Sequence, residues 1–360
     1  LGAVLLGLAY GLGTPAFVYA TLFYGHQASA FCLATSFFLL YRAAHEGRAN
    51  VWNMLMAGLL AGYSVVVEYQ TAGISALLAL YAVLAIRRVR PVFTFSAAAV
   101  LAAGLLAAYN YRAFGDPLEL SYAHEVSREF QSVHSADNPF GLRVPAWPAA
   151  NEILRTLLWG RFRGVSFYAP ILIAAPLGLL VLVGRKHWGV ALLTLGAFAW
   201  MLLVNVSYPL WQGGWCTGPR FLLPGIPFAI LAVSGLIGVD RRGVLASFLG
   251  LLTLGSSLLM LGCVAVGGRL PSFVPDPVRQ IVLPHWQGEI RGGPIEIAGG
   301  RQFEWNVGRW LIEHLVPCDW LPDEPSPWQG LQMVPLAVFW LVMAGLIIVK
   351  ARRNRDRSRL

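Results

Sequence analysis

The sequence predicts an all-α polytopic membrane protein of about ten transmembrane segments, with two long outer-face segments. Three observations carry that prediction. First, 57% of the 360 residues are hydrophobic and only 12% are charged, against about a quarter charged in an ordinary soluble domain. Second, the mean hydropathy is +0.60, and apolar runs of about 17–25 residues recur, the length that crosses a bilayer as a helix. Third, the basic residues collect in alternate short loops, the pattern that orients membrane helices.

The elements follow in order. Residues 1–41 as one helix would be roughly 60 Å long at about 1.5 Å per residue, twice the hydrocarbon thickness. The run must break, and Gly11, Gly13, Thr14 and Pro15 supply one break while Gly25-His26-Gln27 supply another. Between them Ala16 to Tyr24 is aromatic-rich and reads as a short interfacial helix; the next span ends near Arg42. Residues 51–86 are again too long for one span and break at Glu68-Tyr69-Gln70-Thr71. A further span runs from Pro91 to about Ala108. A polar outer-face segment occupies 109–165, and spans follow near 166–184, 188–206, 220–239 and 243–267. Residues 1–267 thus form the multi-span domain. A second outer-face polar segment covers 268–330, a last span covers 331–349, and a basic cytoplasmic tail covers 350–360. Gly7/Gly11 and Gly58/Gly62 have the spacing of close helix packing. The chain opens on the apolar Leu1 without a basic leader, so a signal peptide is not expected and earlier spans are.

Strict alternation of these spans separates the charges. One set of loops carries 15 basic and three acidic residues, the other 12 basic and 15 acidic, which are net +12 and −3 within the overall +9. Short basic loops belong in the cytoplasm. The site region then falls on the outer face, in what would be a bacterial cytoplasmic (inner) membrane. The positive charge is accounted for by topology and by attraction to membrane lipids, and nucleic acid is not an expected partner.

Three costly groups lie at the outer rim: His26, Glu68 and Arg220. Each alone fits a structural polar contact. Together they fit a lipid phosphate arriving from the bilayer, because Arg220 can grip phosphate bidentately while His26 and Tyr19 donate hydrogen bonds. Glu68 has no second carboxylate nearby in sequence, so an orienting role is expected. Trp211 and Trp215 flank Gly213-Gly214 just before Arg220 and read as interfacial anchors. Arg112, Asp116, Arg161 and Arg163 flank the first polar segment, either as local ion pairs or as parts of a loop that closes over an outer cavity.

Metal signals are weak. His124, Glu125, Glu129 and His134 can be read as a cation site or as a solvated loop helix, and the His-Glu-x-x-His spacing is absent. No cofactor is required, and a divalent metal stays open. No Cys-x-x-Cys, phosphate-cradling glycine loop or Gly-x-Ser-x-Gly elbow occurs. Cys32 and Cys263 lie within spans; Cys216 and Cys318 fall in outer segments, where a disulfide is open to them.

Five stretches follow one another in order: Thr14-Pro15…Tyr19…Gly25-His26; Gly62…Glu68-Tyr69; Tyr109-Asn110-Tyr111-Arg112-Ala113-Phe114-Gly115-Asp116-Pro117; Arg163-Gly164-Val165-Ser166-Phe167-Tyr168-Ala169-Pro170; and Gly213-Gly214-Trp215…Gly218-Pro219-Arg220…Leu223-Pro224. In order and topology the chain resembles bacterial GT-C superfamily glycosyltransferases of the protein O-mannosyltransferase-like and aminoarabinose-transferase-like kind. The resemblance implies transfer of a sugar from a polyprenyl-phosphate-linked donor to a lipid, glycan or protein acceptor at the outer face. It implies Tyr19, His26, Glu68, Tyr69, Arg112, Arg163, Trp211, Trp215 and Arg220 as substrate-binding positions. It also implies an acidic base in a loop that would precede Leu1, so the chain by itself is expected to be inactive. A carrier or flippase for a lipid-linked glycan, using the same phosphate pocket without chemistry, is the alternative.

Overall fold

The computed structural model describes residues 2–124, 132–134, 138–237, 239 and 244–287, together with 338, 341, 342 and 345. Among these residues the regular elements are all helical. Helix α1 is Gly2–Gly13, α2 Ala16–Ala20, α3 Gly25–His45, α4 Val51–Val67, α5 Ala72–Ile86 and α6 Val89–Phe114. After the first polar segment come α7 at Ala149–Trp159, α8 at Val165–Tyr168, α9 at Ala175–Gly184, α10 at Trp188–Ser207, α11 at Ile226–Val233, α12 at Val244–Ala265 and α13 at Leu283–Trp286.

The expected breaks at Thr14-Pro15 and at Glu68 fall where local chemistry puts them, but the second expected break is displaced: α2 ends at Ala20, the chain is non-helical over 21–24, and Gly25-His26-Gln27 form the first turn of α3 instead of interrupting it. α1 and α2 are separated at Thr14-Pro15, whose ring cannot continue the hydrogen-bond ladder of α1. α4 ends at Glu68, which adopts extended backbone (φ −147°, ψ 105°) after three consecutive valines. The turn is then locked: Thr71 Oγ1 donates to the Glu68 carbonyl (2.8 Å), and Ser75 Oγ donates to the Ala61 carbonyl (2.7 Å). α6 runs six residues past the expected end at Ala108, through Phe114. Its stop is set by Gly115 in the left-handed region (φ 91°), which an L side chain resists.

Among the described residues four helices are long and apolar enough to cross a membrane: Tyr69–Ile86, Val89–Phe114, Trp188–Ser207 and Val244–Ala265. The expected count of ten is not supported, for identifiable reasons. Gly2–Gly13, Val51–Val67, Pro170–Gly184 and Arg220–Leu236 are apolar but only 10–17 residues long, short of the roughly 20 that span hydrocarbon. Two of these are further divided into 3₁₀ and α pieces at Pro170–Ala174 and Arg220–Gly225. α3 has the length but carries His26, Gln27, Ser29, Ser36 and Arg42. The last expected span and the basic tail lie outside the described residues, apart from four isolated positions.

One apolar core runs through the bundle, from Ala9 on α1 to Val282 just before α13. α4 packs on α3 and α6, α10 on α5 and α11, and α12 on α1. The two glycine pairs behave differently. A methyl at Gly58 or Gly62 would strike the backbone of α6 at Phe95 and Ala99, so these glycines allow a close helix approach. Gly7 and Gly11 meet nothing. The bundle has two chemically distinct ends. The start of α3 and the end of α4 form one, here called the rim. The end of α3, the end of α5 and the start of α10 form the other, where Arg42, Arg48, Arg87, Arg185 and Lys186 collect.

Candidate functional site: a rim cluster around Arg220

Folding brings His26 and Glu68 together. His26 Nδ1 lies 2.6 Å from Glu68 Oε1, with side-chain exposures of 7% and 12%. The two groups are in close contact without the alignment of a hydrogen bond. His26 sits in the first turn of α3 and Glu68 in the turn lock after α4, so two rigid helices fix the pair. Gly25 has no side chain to displace the carboxylate: a methyl there would lie 3.1 Å from Glu68 Oε1.

Aromatic rings enclose the imidazole. Tyr24 stacks on it (6.0 Å between centroids, 13° between planes), and Tyr19 and Phe221 meet it edge-on at 6.1 and 5.6 Å. The Arg220 guanidinium lies over two of the same rings, 5.4 Å from the Tyr24 centroid and 4.7 Å from that of Phe221. Imidazole and guanidinium therefore share one aromatic wall. Arg220 Nε is buried without a hydrogen-bond partner, and among the described residues Arg220 makes no ion pair. Its stem passes Gly213, which is left-handed (φ 73°) and whose added methyl would lie 3.1–3.3 Å from three atoms of the arginine. Gly213 thus both makes the turn and leaves room for Arg220.

Arg163 has the opposite condition. It is 0% exposed. Its Nε donates to the Gln212 carbonyl (2.8 Å), one terminal nitrogen to Gly214 (2.9 Å) and the other to Phe162 (3.1 Å). Its planar fork staples the loop that presents Arg220. Tyr19 is likewise committed, since its buried hydroxyl donates to the Thr217 carbonyl at 3.1 Å. Thr217 Oγ1 in turn donates to Gly268 (2.8 Å), tying the loop to the chain after α12.

The remaining sequence-predicted positions divide. The Trp211 ring packs against Phe162, and its carbonyl accepts from Asn205 Nδ2 at 2.9 Å. The Trp215 ring packs against Phe273, and its carbonyl lies 3.5 Å from the Tyr24 hydroxyl. Tyr69 meets Tyr122 edge-on at 5.5 Å, and its hydroxyl is 3.5 Å from Ser121 Oγ. Arg112 is exposed in the last turn of α6 and makes no hydrogen bond or ion pair among the described residues. Arg161 pairs with Asp276 at 3.2 Å, joining the two polar segments rather than facing the cluster.

Sequence reasoning missed part of the cluster. Tyr122, His134 and Tyr208 reach it from the first polar segment and the end of α10. Tyr122 packs on His134 (4.6 Å), His134 Nε2 is 3.2 Å from the Tyr208 hydroxyl, and Tyr208 meets Phe221 edge-on at 5.4 Å. Burial, followed by the Glu68 carboxylate, pushes the Tyr122 phenol well above its usual value, while Arg220 opposes the shift. Nothing in the sequence links residues so far apart. Only the adjacency of Tyr24 to Gly25-His26 was a usable signal.

Among the described residues no group of three or more His, Cys, Asp or Glu comes together as metal ligands do. Both ring nitrogens of His134 are engaged, with Pro139 and Tyr208, and His124 pairs with Glu119 at 3.1 Å. Glu125 and Glu129 lie outside the described residues, as does Cys318; Cys216 is buried, with its thiol near the Gln212 and Gly218 carbonyls. No protein-family model, curated protein or solved structure matches the chain.

Proposed function

We propose that this chain is the lipid-phosphate-binding membrane part of a glycosyltransferase that moves a sugar from a polyprenyl-phosphate donor to an acceptor at the outer face of the membrane. The observation that carries this reading is Arg220: a half-buried guanidinium whose Nε is desolvated and unpartnered, beside a carboxylate-oriented histidine. Burying a charge without a partner is costly. A phosphate supplies the missing acceptor oxygens and matches the guanidinium fork.

In the proposed reaction the acceptor hydroxyl oxygen attacks the anomeric carbon while its proton passes to a carboxylate base that is not among the residues assigned here. The bond from that carbon to the phosphate oxygen breaks, and its electron pair leaves with the phosphate. Arg220 stabilises the charge that develops there. His26, set beside Glu68 at Nδ1, presents its other nitrogen to the phosphate and is a second donor there when the ring carries both protons. Glu68 orients and does not itself act as base. Arg163 is a positioning residue that fixes the loop bearing Arg220. Only the leaving-group side of the reaction is assigned to these residues. The ten-span topology with an outer-face rim belongs to this reading, the shorter apolar helices crossing with neighbours and a locally thinned bilayer.

The test compares polyprenyl phosphate with the neutral polyprenol as ligands, read by tryptophan fluorescence of the purified chain. The phosphate should bind at least tenfold more tightly, and Arg220→Gln should remove the difference. Equal binding of the alcohol would overturn the reading. In membranes containing the complete enzyme, sugar transfer that depends on Arg220 supports a transferase. Arg220-dependent movement of the lipid-linked glycan across the bilayer without transfer would identify a carrier instead.

A further inference from the structure

At the basic end of the bundle, far along α3 from His26, a cavity of about 330 Å³ opens between the ends of α3 and α5 and the start of α10. Its polar lining is Lys186, His187, His45 and the Tyr81 hydroxyl, with the Trp188 indole beside them. Lys186 and His187 are exposed, and neither side chain has a hydrogen bond or ion pair among the described residues. His45 Nε2 is 3.2 Å from the Tyr81 hydroxyl. Acidic competition is slight: the nearby Glu46 is already paired with Arg42 (2.9 Å) and Arg48 (3.5 Å).

Below this polar mouth the lining is aliphatic, and it does not end. Leu77 and Leu80 also line a second cavity of about 590 Å³ along the same seam, with Gly73, Gly196 and Trp200. From Trp188 to Leu203 the two cavities follow sixteen residues of α10, roughly 22 Å of helix from first to last at about 1.5 Å per step. That exceeds the roughly 15 Å depth of one leaflet, half of a hydrocarbon core about 30 Å thick. A lysine, two imidazoles and an indole thus cap an apolar groove one leaflet deep, on helices apolar enough to lie in a membrane.

We propose that this seam is a binding site for an anionic glycerophospholipid, with its phosphate at Lys186 and His187 and one acyl chain in the α5–α10 groove. Charge complementarity selects the head group, because a lone cation beside two imidazoles favours a net-negative lipid over a zwitterionic one. Groove length and apolarity select the chain. The site is separate from the rim cluster and does not depend on glycosyl transfer.

Delipidated purified chain would be mixed with phosphatidylglycerol or phosphatidylcholine of the same acyl composition, and the retained lipid counted by native mass spectrometry. One phosphatidylglycerol should be retained with at least fivefold preference. Lys186 has left-handed backbone (φ 63°), which asparagine tolerates, so Lys186→Asn removes the charge without adding strain and should abolish the preference. Ala76→Trp, at an exposed position lining the groove, should block the chain and lower retention of both lipids. Arg90→Gln, which removes one exposed charge from the same end but outside the cavity, should leave retention unchanged. Equal retention of the two lipids, equal losses in Lys186→Asn and Arg90→Gln, or full retention in a folded Ala76→Trp would each overturn the proposal. Should Ala76→Trp fail to fold, the Lys186→Asn and Arg90→Gln comparison still decides it.

Discussion

The two ends of this bundle handle charge in opposite ways. At the basic end Arg48, Arg87 and Lys186 are exposed, and the pairs that form, such as Arg48 with Glu46, have side chains about half exposed (59% and 47%). Solvent screens such contacts, and each contributes little. At the rim Arg163, His26 and Glu68 are nearly shut away from water, and each has a fixed partner. Arg220 lies among them with its Nε unsatisfied. The contrast teaches that charge at the basic end acts as a solvated set, whereas at the rim individual atoms matter. Within the rim, Arg163 and Arg220 repeat the contrast on a smaller scale: one holds backbone, and the other is left for something else.

If that difference is right, substitutions should sort by end and by partner. The largest effect is expected for Arg163→Ala, which strands three carbonyls and leaves a hole: a loss of about 3–5 kcal/mol, seen as a lowered unfolding midpoint in detergent. Arg163→Lys should recover only part of it, because a point charge cannot reach three acceptors. Glu68→Gln comes next. Removing the carboxylate beside buried His26 should lower the unfolding midpoint by less than Arg163→Ala does and, on the proposed function, weaken polyprenyl-phosphate binding as well. Gly213→Ala should cost about 1–2 kcal/mol, since alanine resists the left-handed region and its methyl crowds Arg220. Arg48→Ala at the basic end should stay within about 0.5 kcal/mol; a loss as large as that of Arg163→Ala would erase the contrast between the ends.

The smallest effect is a pH dependence. Burial raises the Tyr122 phenol above the value near 10 that an unfolded tyrosine has. The stabilisation from keeping it neutral is complete below about pH 10 and is lost as pH rises through the raised folded value. Wild type should therefore lose stability faster than Tyr122→Phe above about pH 10, in parallel unfolding curves. Identical curves would mean that the first polar segment does not cover Glu68 as the structure has it.

Much of the fold was legible. The breaks at Thr14-Pro15 and Glu68-Thr71 were readable because chain stiffness and helix length are local matters, as was the pairing of close-packing glycines at 58 and 62. The span count was not. Hydropathy measures how apolar a stretch is, but whether it stays one straight helix depends on prolines and on what its neighbours let it do, as at Pro170–Ala174 and Arg220–Gly225. Of the rim, His26, Glu68 and Arg220 stood out as costly residues. Tyr122 and Tyr208 did not, and His134 stood out only as a cation-site or loop-helix residue, since an aromatic ring carries no local mark of the distant rings it will meet.

By itself the sequence determined the helical, membrane-compatible class, the places where long apolar runs must break, and the few polar residues costly enough to need partners. These follow from transfer energies and backbone sterics that each short stretch carries with it. Only the tertiary structure decided which arginine is satisfied and which is not. Arg163 and Arg220 look alike in sequence, and the carbonyls of Gln212 and Gly214 that distinguish them arrive from some fifty residues away.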